Sequence, residues 1–390
     1  MATIPDFQSL AQPGIQGLRA YDPGHDIVAL RNRFAAHGCA SAAEDRLPEA
    51  AGGPLTELGS NENSYGPSPR AREALLDSLH MLHRYPDPLG ADLKRALAAR
   101  LSLAPTRIML GNGSHELLMM LAQVFTGPDT EVIAAQFGFA VYALAAQAAG
   151  AKFIAVPALP ADSQMPHGHD LSAMADAVSA RTRMVYLANP NNPTGTWFST
   201  AALSDFLARL RPDVLVVVDE AYLEYVTDPA LVSAISLLGE HPNLVVTRTF
   251  SKAYGLAGLR LGYACAHPQL LAMLERARES FNVNLPALAA CEAALGDIEH
   301  LAWVCRKNAD EREWLSVELT ARQLRVLPSQ TNFLLADFGH PAAPVEATLV
   351  QRGVVLRPMA GYGLRNCLRI TVGNRDENSR LLQALDEIGM

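Results

Sequence analysis

Apolar positions fall into two textures along this chain. From about residue 67 to residue 250, short continuous apolar runs alternate with stretches of helical apolar spacing. The pattern predicts helices over 69–82, 88–101, 114–125, 139–149 and 199–210, and strands over 107–110, 131–135, 152–156, 183–188, 214–218 and 244–247. Runs such as Val214-Leu-Val-Val-Val218 show no polar alternation, as expected of strands covered on both faces. Strands alternating with helices argue for an α/β fold with a mostly parallel, doubly wound sheet. After about residue 280 the texture changes. A long helix is expected over 286–322, broken near Gly296, then strands near 332–336, 353–356 and 367–371 and a closing helix over 376–388. That reads as a smaller α+β lobe. Residues 1–66 are expected to form an amino-terminal arm and part of the small lobe, with a helical stretch over 27–36 and an Ala/Gly-rich loop over 35–54. The large domain would then run 67–280 and the small one 281–390. No internal repeat is present.

Composition narrows the function. The 390 residues include 32 basic and 40 acidic side chains, a net charge of −8 with no basic block. This argues against nucleic acid or an anionic membrane as the main partner. At 49% hydrophobic and 18% charged, the chain is apolar enough for a sizeable core and too apolar for disorder. No run approaches the roughly 20 apolar residues of a membrane helix. The opening MATIPDFQSLAQPG lacks a basic segment followed by an apolar one, so the expected location is cytoplasmic. Cys39, Cys265, Cys291, Cys305 and Cys367 form no Cys-x-x-Cys pair, which fits a reducing compartment and argues against structural zinc. His167 and His169 flank Gly168; a metal is conceivable there, but a solvated loop is the simpler expectation, and no metal is expected elsewhere.

One count bears directly on chemistry. Only four of the basic residues are lysines (Lys94, Lys152, Lys252 and Lys307); the other 28 are arginines. Arginine stays protonated in proteins, whereas a lysine can be tuned into a nucleophile. Lys94 and Lys307 lie among charges on polar helix faces and Lys152 opens a strand, so all three read as solvated. Lys252 differs. It sits in Thr249-Phe-Ser-Lys-Ala-Tyr-Gly-Leu-Ala-Gly-Leu-Arg-Leu-Gly262, a glycine-rich loop that also holds Ser251 and Arg260. Desolvation and a nearby cation would lower its pKa toward a reactive amine. On this segment alone, a surface lysine explains it equally well.

Two further segments break the tie. Asn189-Pro-Asn-Asn-Pro-Thr-Gly195 follows one predicted strand and Asp219-Glu-Ala-Tyr222 closes another. Both fall at the carboxyl ends of strands, where open α/β sheets place ligands. Taken singly they are ordinary turn chemistry and a helix cap. Taken together, an amine, a carboxylate and an amide on three strand-end loops are what a pyridinium cofactor needs: a Schiff-base partner, a group that keeps the ring nitrogen protonated, and a donor to the phenolic oxygen.

The ordered set ANPNNPTG, DEAY and SKAYGLAGLRLGY resembles the fold-type I aminotransferases, which use pyridoxal 5′-phosphate, over nearly the whole chain. More narrowly, Gly17-Leu-Arg-Ala-Tyr-Asp-Pro-Gly24, Ser60-Asn-Glu-Asn63 with Gly-Pro-Ser-Pro69, His83-Arg-Tyr-Pro-Asp87 and Cys367-Leu-Arg-Ile-Thr-Val-Gly373 resemble the histidinol-phosphate aminotransferase branch. The resemblance implies that Lys252 is the Schiff-base lysine and proton carrier and that Asp219 pairs with the ring nitrogen. It implies that Asn192 and Tyr222 contact the phenolic oxygen and that Phe139 stacks on the ring. Ser251, Arg260, Ser114 and His115 would hold the cofactor phosphate. The last two open helix 114–125, where free N–H groups and the dipole favour an anion. Tyr85 of the partner subunit would reach the same phosphate, implying a homodimer with shared sites.

For substrate, the resemblance points to Arg369 as a carboxylate clamp, a bidentate task suited to guanidinium. Arg357, Tyr21 and Asn63 would complete the pocket. The chain departs from the pattern in a longer stretch between Gly24 and Ser60, and in Ser64 where the pattern has proline; both fall where the arm covers the substrate. The expected reaction is transfer of the amine of L-histidinol phosphate to 2-oxoglutarate. An aromatic amino acid transaminase is the alternative, followed by a decarboxylase of a phosphorylated amino acid and by a non-catalytic binding module.

Overall fold

The computed structural model describes residues 6–21, 24–37 and 55–390, with side chains from 6–21, 24–34 and 55–390. The expected loop over 35–54 and Cys39 therefore lie almost wholly outside the described residues. The strands are β1 Thr56–Glu57, β2 Ile108–Gly111, β3 Glu131–Ala135, β4 Lys152–Val156, β5 Thr182–Ala188, β6 Leu215–Asp219, β7 Leu244–Thr249 and β8 Gly262–Cys265, then β9 Arg325–Val326, β10 Phe333–Asp337, β11 Val354–Val355, β12 Arg357–Pro358 and β13 Cys367–Thr371.

The apolar runs dictate the main sheet. Alternate residues of a strand face opposite ways. Val216 and Val218 of β6 join one buried cluster while Val217 joins another; Ile133 and Val132 of β3 divide in the same way, as do Val246 and Val245 of β7. Both faces are thus covered, each buried valine contributing about 1.5–3 kcal/mol. The seven strands run in the order β2-β8-β7-β6-β5-β3-β4. All neighbours are parallel except β8, which lies antiparallel between β7 and β2. Strand β8 escapes the apolar pattern because it begins on Gly262 and has only four residues.

The small lobe pairs β12-β13-β10-β9 antiparallel. Beside it, β1 from the amino-terminal arm runs parallel to β11. The expected long helix is two, Leu285–Gly296 and Ile298–Ala321, because Asp297 ends the first and caps the second by accepting from the His300 N–H. The first of them packs on the large domain: Ala287, Ala290 and Cys291 share a cluster with Ala71, Leu93 and Leu97 of helices Pro69–Ser78 and Ala91–Leu101. The small-lobe core takes Leu315 and Leu319 from the second helix and Leu58 from the arm. Helix Ala343–Gln351 was not anticipated. No helix of the described residues is long and apolar enough to cross a membrane.

Candidate active site

An open cavity of about 280 Å³ lies at the carboxyl ends of β5, β6 and β7, where the large sheet meets the small lobe. It gathers Tyr21, Ser114, His115, Phe139, Asn192, Asp219, Tyr222, Ser251, Lys252, Arg260 and Arg369. These positions span nearly 350 residues of sequence.

Asp219 is the last residue of β6 and is buried. Its Oδ2 accepts from the Tyr142 hydroxyl at 3.0 Å and its Oδ1 from the Thr247 hydroxyl at 3.3 Å. Burial pushes its pKa up to about 6, and those two hydroxyls pull against that rise. Lys252 lies three residues beyond β7, and its Nζ donates to the Asn61 carbonyl at 3.2 Å. Burial first, then the cations Arg369 and Arg260, lower its pKa to about 8. The cavity thus holds a buried carboxylate and an amine poised to lose its proton, a pairing found where proton transfer is done.

One end of the cavity is shaped for an anion. Helix Ser114–Phe125 begins there, and its N-cap, Gly113, supplies no side-chain cap. A Cβ on Gly113, whose φ is +81°, would fall 2.6 Å from the Arg260 guanidinium, and one on Gly262 would fall 2.4 Å from the Ser114 nitrogen. Only glycine at both positions leaves this cradle open. Arg260 reaches Ser251 Oγ at 3.4 Å. Uncapped helix N–H groups, a hydroxyl and a guanidinium converge as a phosphate site requires. The neighbouring His115 has its pKa lowered by burial and then by Arg260.

The opposite end is arginine-lined. Arg369, buried on β13, donates to Asn192 Oδ1 and to the Gly59 carbonyl, both at 2.6 Å, while its Nε is buried without a partner among the described residues. Arg357 is the register partner of Arg369 across β12 and β13. It lines an adjoining cavity of about 400 Å³ that shares Tyr21, Phe139 and Tyr142 with the first. Phe139 is the N-cap of helix Ala140–Ala148 and half-buried, and the Tyr21 ring meets it edge-on at 6.4 Å.

Asn63, His169 and Lys94 are placed differently from expectation, and Tyr85, expected to serve the partner subunit's site, lies away from this chain's own cavity. Asn63 does not line the cavity: it donates to the Ala253 carbonyl and accepts from the Tyr65 N–H, so it braces the loop. Two positions earlier, Asn61 lines the cavity and donates to the Tyr222 hydroxyl at 2.9 Å. Tyr85 is 80% exposed, stacked on Phe281, and is not among the residues lining this chain's cavity. His169 is buried against Phe198 rather than solvated, and burial lowers its pKa to about 4. Lys94, expected in solvent, is half-buried, with its pKa lowered for that reason. Among the described residues no cluster of His, Cys, Asp or Glu could hold a metal ion.

Sequence reasoning missed Asn61, Tyr142 and Thr247. For Tyr142 a signal existed: it lies one helical turn beyond Phe139, on the face that Phe139 presents to the cavity.

The family model described as aminotransferase class I and II matches residues 54–385. The histidinol-phosphate aminotransferase 2 of Pseudomonas aeruginosa is 44% identical to this chain over 99% of each. The histidinol-phosphate aminotransferase 1 of Nitrosococcus oceani is 44% identical over 98% of this chain and 97% of its own. A crystal structure of histidinol-phosphate aminotransferase from Sinorhizobium meliloti in complex with pyridoxal-5′-phosphate superposes with a TM-score of 0.83, at 30% identity and 97% coverage of both chains.

Proposed function

We propose that this chain, which belongs to the class I and II aminotransferases, takes L-histidinol phosphate as its amino donor and 2-oxoglutarate as its acceptor. It is a pyridoxal 5′-phosphate enzyme, and its cavity fits that group: an anion cradle kept open by Gly113 and Gly262, a buried carboxylate, and a deprotonatable amine. When bound, the cofactor supplies an aldehyde that takes up the amine and a ring that draws electrons from the donor carbon.

The chain's own residues do the rest. Ser251, Arg260 and the N–H groups at the start of helix Ser114–Phe125 would hold the phosphate, with His115 beside them. Asp219, ionised above about pH 6, would hold a proton on the ring nitrogen. Tyr142 and Thr247 keep that carboxylate ionised by donating to it. Asn192 and Tyr222 would meet the phenolic oxygen, and Phe139 one face of the ring. Lys252 Nζ would hold the aldehyde at rest. Once free, with a pKa near 8, it would take the proton from the amine-bearing carbon and return it one position away.

The observation that carries the donor assignment is the pair Arg357 and Arg369, neighbours on one face of the β12–β13 ladder. Histidinol phosphate has no carboxylate. Its anion is a phosphate next to the amine-bearing carbon, and the acceptor presents a carboxylate there instead. Arg369 can clamp either in turn. A second guanidinium suits a dianionic phosphate, and then the far carboxylate of the acceptor, better than it suits the single carboxylate of phenylalanine. Tyr21 would close over this end.

The reading includes a homodimer, in which Tyr85 of the partner subunit completes the phosphate site. It is supported by the exposure of Tyr85, Leu79 and Leu82, large apolar side chains close together in sequence. Cys265, Cys291, Cys305 and Cys367 are free thiols, which supports a cytoplasmic setting.

A donor panel with 2-oxoglutarate tests the assignment. Histidinol phosphate should exceed phenylalanine in kcat/KM by roughly a hundredfold or more, since a dianionic phosphate can engage both guanidinium groups and a single carboxylate cannot. Equal values would favour the aromatic amino acid transaminase. Initial-rate lines at varied acceptor should be parallel, as expected when the amine is parked on the enzyme between half-reactions.

A further inference from the structure

Tyr21 reaches the cavity on the amino-terminal arm, not on the sheet, so something must fix how far the arm extends. At one end Gly14 lies flat on the large domain: a Cβ there would be 2.1 Å from the Gln147 carbonyl oxygen and 3.0 Å from the Gly150 backbone. At the other end, helix Ile27–His37 packs Leu30 against Val350 and Val355 of the small lobe. Between the two, His25 Nε2 bonds Glu346 Oε1 on helix Ala343–Gln351. The Glu346 side chain is only 10% exposed, so without His25 that carboxylate would be left nearly buried and short of its partner. Gly24, next to His25, lies against the Arg357 guanidinium, where a Cβ would fall 1.9 Å from a terminal nitrogen.

We propose that His25 and Glu346 are a positioning pair that anchors the arm to the small lobe and so sets the reach of Tyr21 over the amino donor. Three residues lie between Tyr21 and His25, a tether of four Cα–Cα steps that spans at most about 14 Å when extended. Holding His25 on Glu346 therefore confines the Tyr21 ring to the neighbourhood of Phe139 and His115, the rings it meets at 6.4 and 6.5 Å. It also presses Gly24 onto Arg357, so the arm and the second arginine close over the donor together. Neither His25 nor Glu346 lines the cavity. Their effect should fall on binding and leave the chemical step alone. The inference rests on reading this cavity as the donor's site.

The test is a double-mutant cycle on the holoenzyme: His25→Ala, Glu346→Met, both together, and His25→Lys, whose ammonium can still pair with Glu346. Each single loss should raise the donor KM roughly tenfold with kcat within about twofold. The double variant should be no worse than either single one, and His25→Lys should stay within about threefold of the parent. A second readout needs no substrate: trypsin cleavage after the exposed Arg19 should accelerate in the Ala and Met variants and return toward the parent rate in His25→Lys. Unchanged KM and cleavage, losses that add in the double variant, or a fall in kcat at constant KM would each overturn the pair. A parent enzyme inert toward histidinol phosphate would instead overturn the donor assignment, and the cleavage rates would still report on His25 and Glu346.

Discussion

One wall of the cavity hangs from the seven-stranded sheet; the other is assembled from the arm and the small lobe. On the first, Asp219 ends β6, Thr247 is its register partner on β7, and Ser251 and Lys252 follow β7 within three residues. Their positions are fixed by strands buried on both faces. On the second, Asn61 donates its N–H to Thr371 and Arg369 donates to the Gly59 carbonyl, each contact closing 310 residues of chain. Single hydrogen bonds of this kind are worth about 1 kcal/mol net, whereas the sheet has whole layers of apolar burial behind it. The difference separates chemistry from specificity. In the proposed function, the groups that would bind the cofactor and move protons stand mostly on the rigid wall, and those that would select the substrate stand on the adjustable one, with Asn61, the donor to Tyr222, the exception.

The contrast breaks most visibly if the rigid wall tolerates change. Lys252→Ala should lower transamination by about 10⁵-fold or more, since among the described residues no other amine lines the cavity. Near pH 7 the cofactor-free variant should melt no lower than the cofactor-free parent, and borohydride should no longer fix a label at position 252. Measurable turnover above about a thousandth of the parent rate would remove Lys252 from the chemistry. On the other wall the expected loss is smaller. Arg369→Lys keeps the charge but gives up the forked geometry that reaches Asn192 and the Gly59 carbonyl together. A drop of about a hundredfold in kcat/KM, borne mainly by KM for both substrates, is expected from steady-state kinetics. A loss confined to kcat would place Arg369 with the proton-moving groups instead.

The same division decides what could be read from sequence. The rigid wall was legible because its residues sit in contiguous motifs at strand ends: once β6 and β7 are recognised, the places of Asp219 and Lys252 follow from chain geometry. The large sheet was legible for a related reason, since strands buried on both faces leave unbroken apolar runs. Strand β8 left no such run, and the helix Leu285–Gly296 gave no sign of which lobe it would join, because an apolar stripe does not name its partner. The adjustable wall was harder. Asn61 and Asn63 belong to one four-residue motif, and contacts far along the chain decide their places: Asn61 is held by Thr371 and Asn332 and reaches Tyr222, while Asn63 reaches the Ala253 carbonyl. His169 looked solvated because its flanking residues are polar, yet Phe198, from a different loop, covers it.

Those two asparagines sharpen the comparison at a smaller scale. Asn61→Ala removes the donor to the Tyr222 hydroxyl and should lower kcat by about tenfold, with cofactor affinity falling in parallel. Asn63→Ala should leave kcat/KM within about twofold and instead lower stability by about 1–2 kcal/mol, read from denaturant midpoints, because the Ala253 carbonyl and the Tyr65 N–H lose a partner. The reverse outcome would restore Asn63 to the substrate pocket and make Asn61 the brace.

The smallest effect is a pH dependence that couples the two walls. Lys252 is held near 8, below its ordinary 10.5, by burial and then by Arg369 on the opposite wall. Between about pH 8 and 10.5 the unfolded chain therefore carries a proton at this lysine that the folded chain lacks. Stability of the cofactor-free protein should rise with pH across that window, and below pH 8 the cost of burying the charged amine is present in full. Lys252→Met should lack this rise, while the shift at Lys94 is common to both proteins and cancels in the difference. Replacing Arg369 with methionine should move the Lys252 titration, followed by pH-dependent trinitrophenylation of the amine, upward from about 8. If the titration stays where it was, burial alone sets the amine's basicity. The substrate wall would then bear on binding only, and the separation of chemistry from specificity would be cleaner than the electrostatics of this cavity imply.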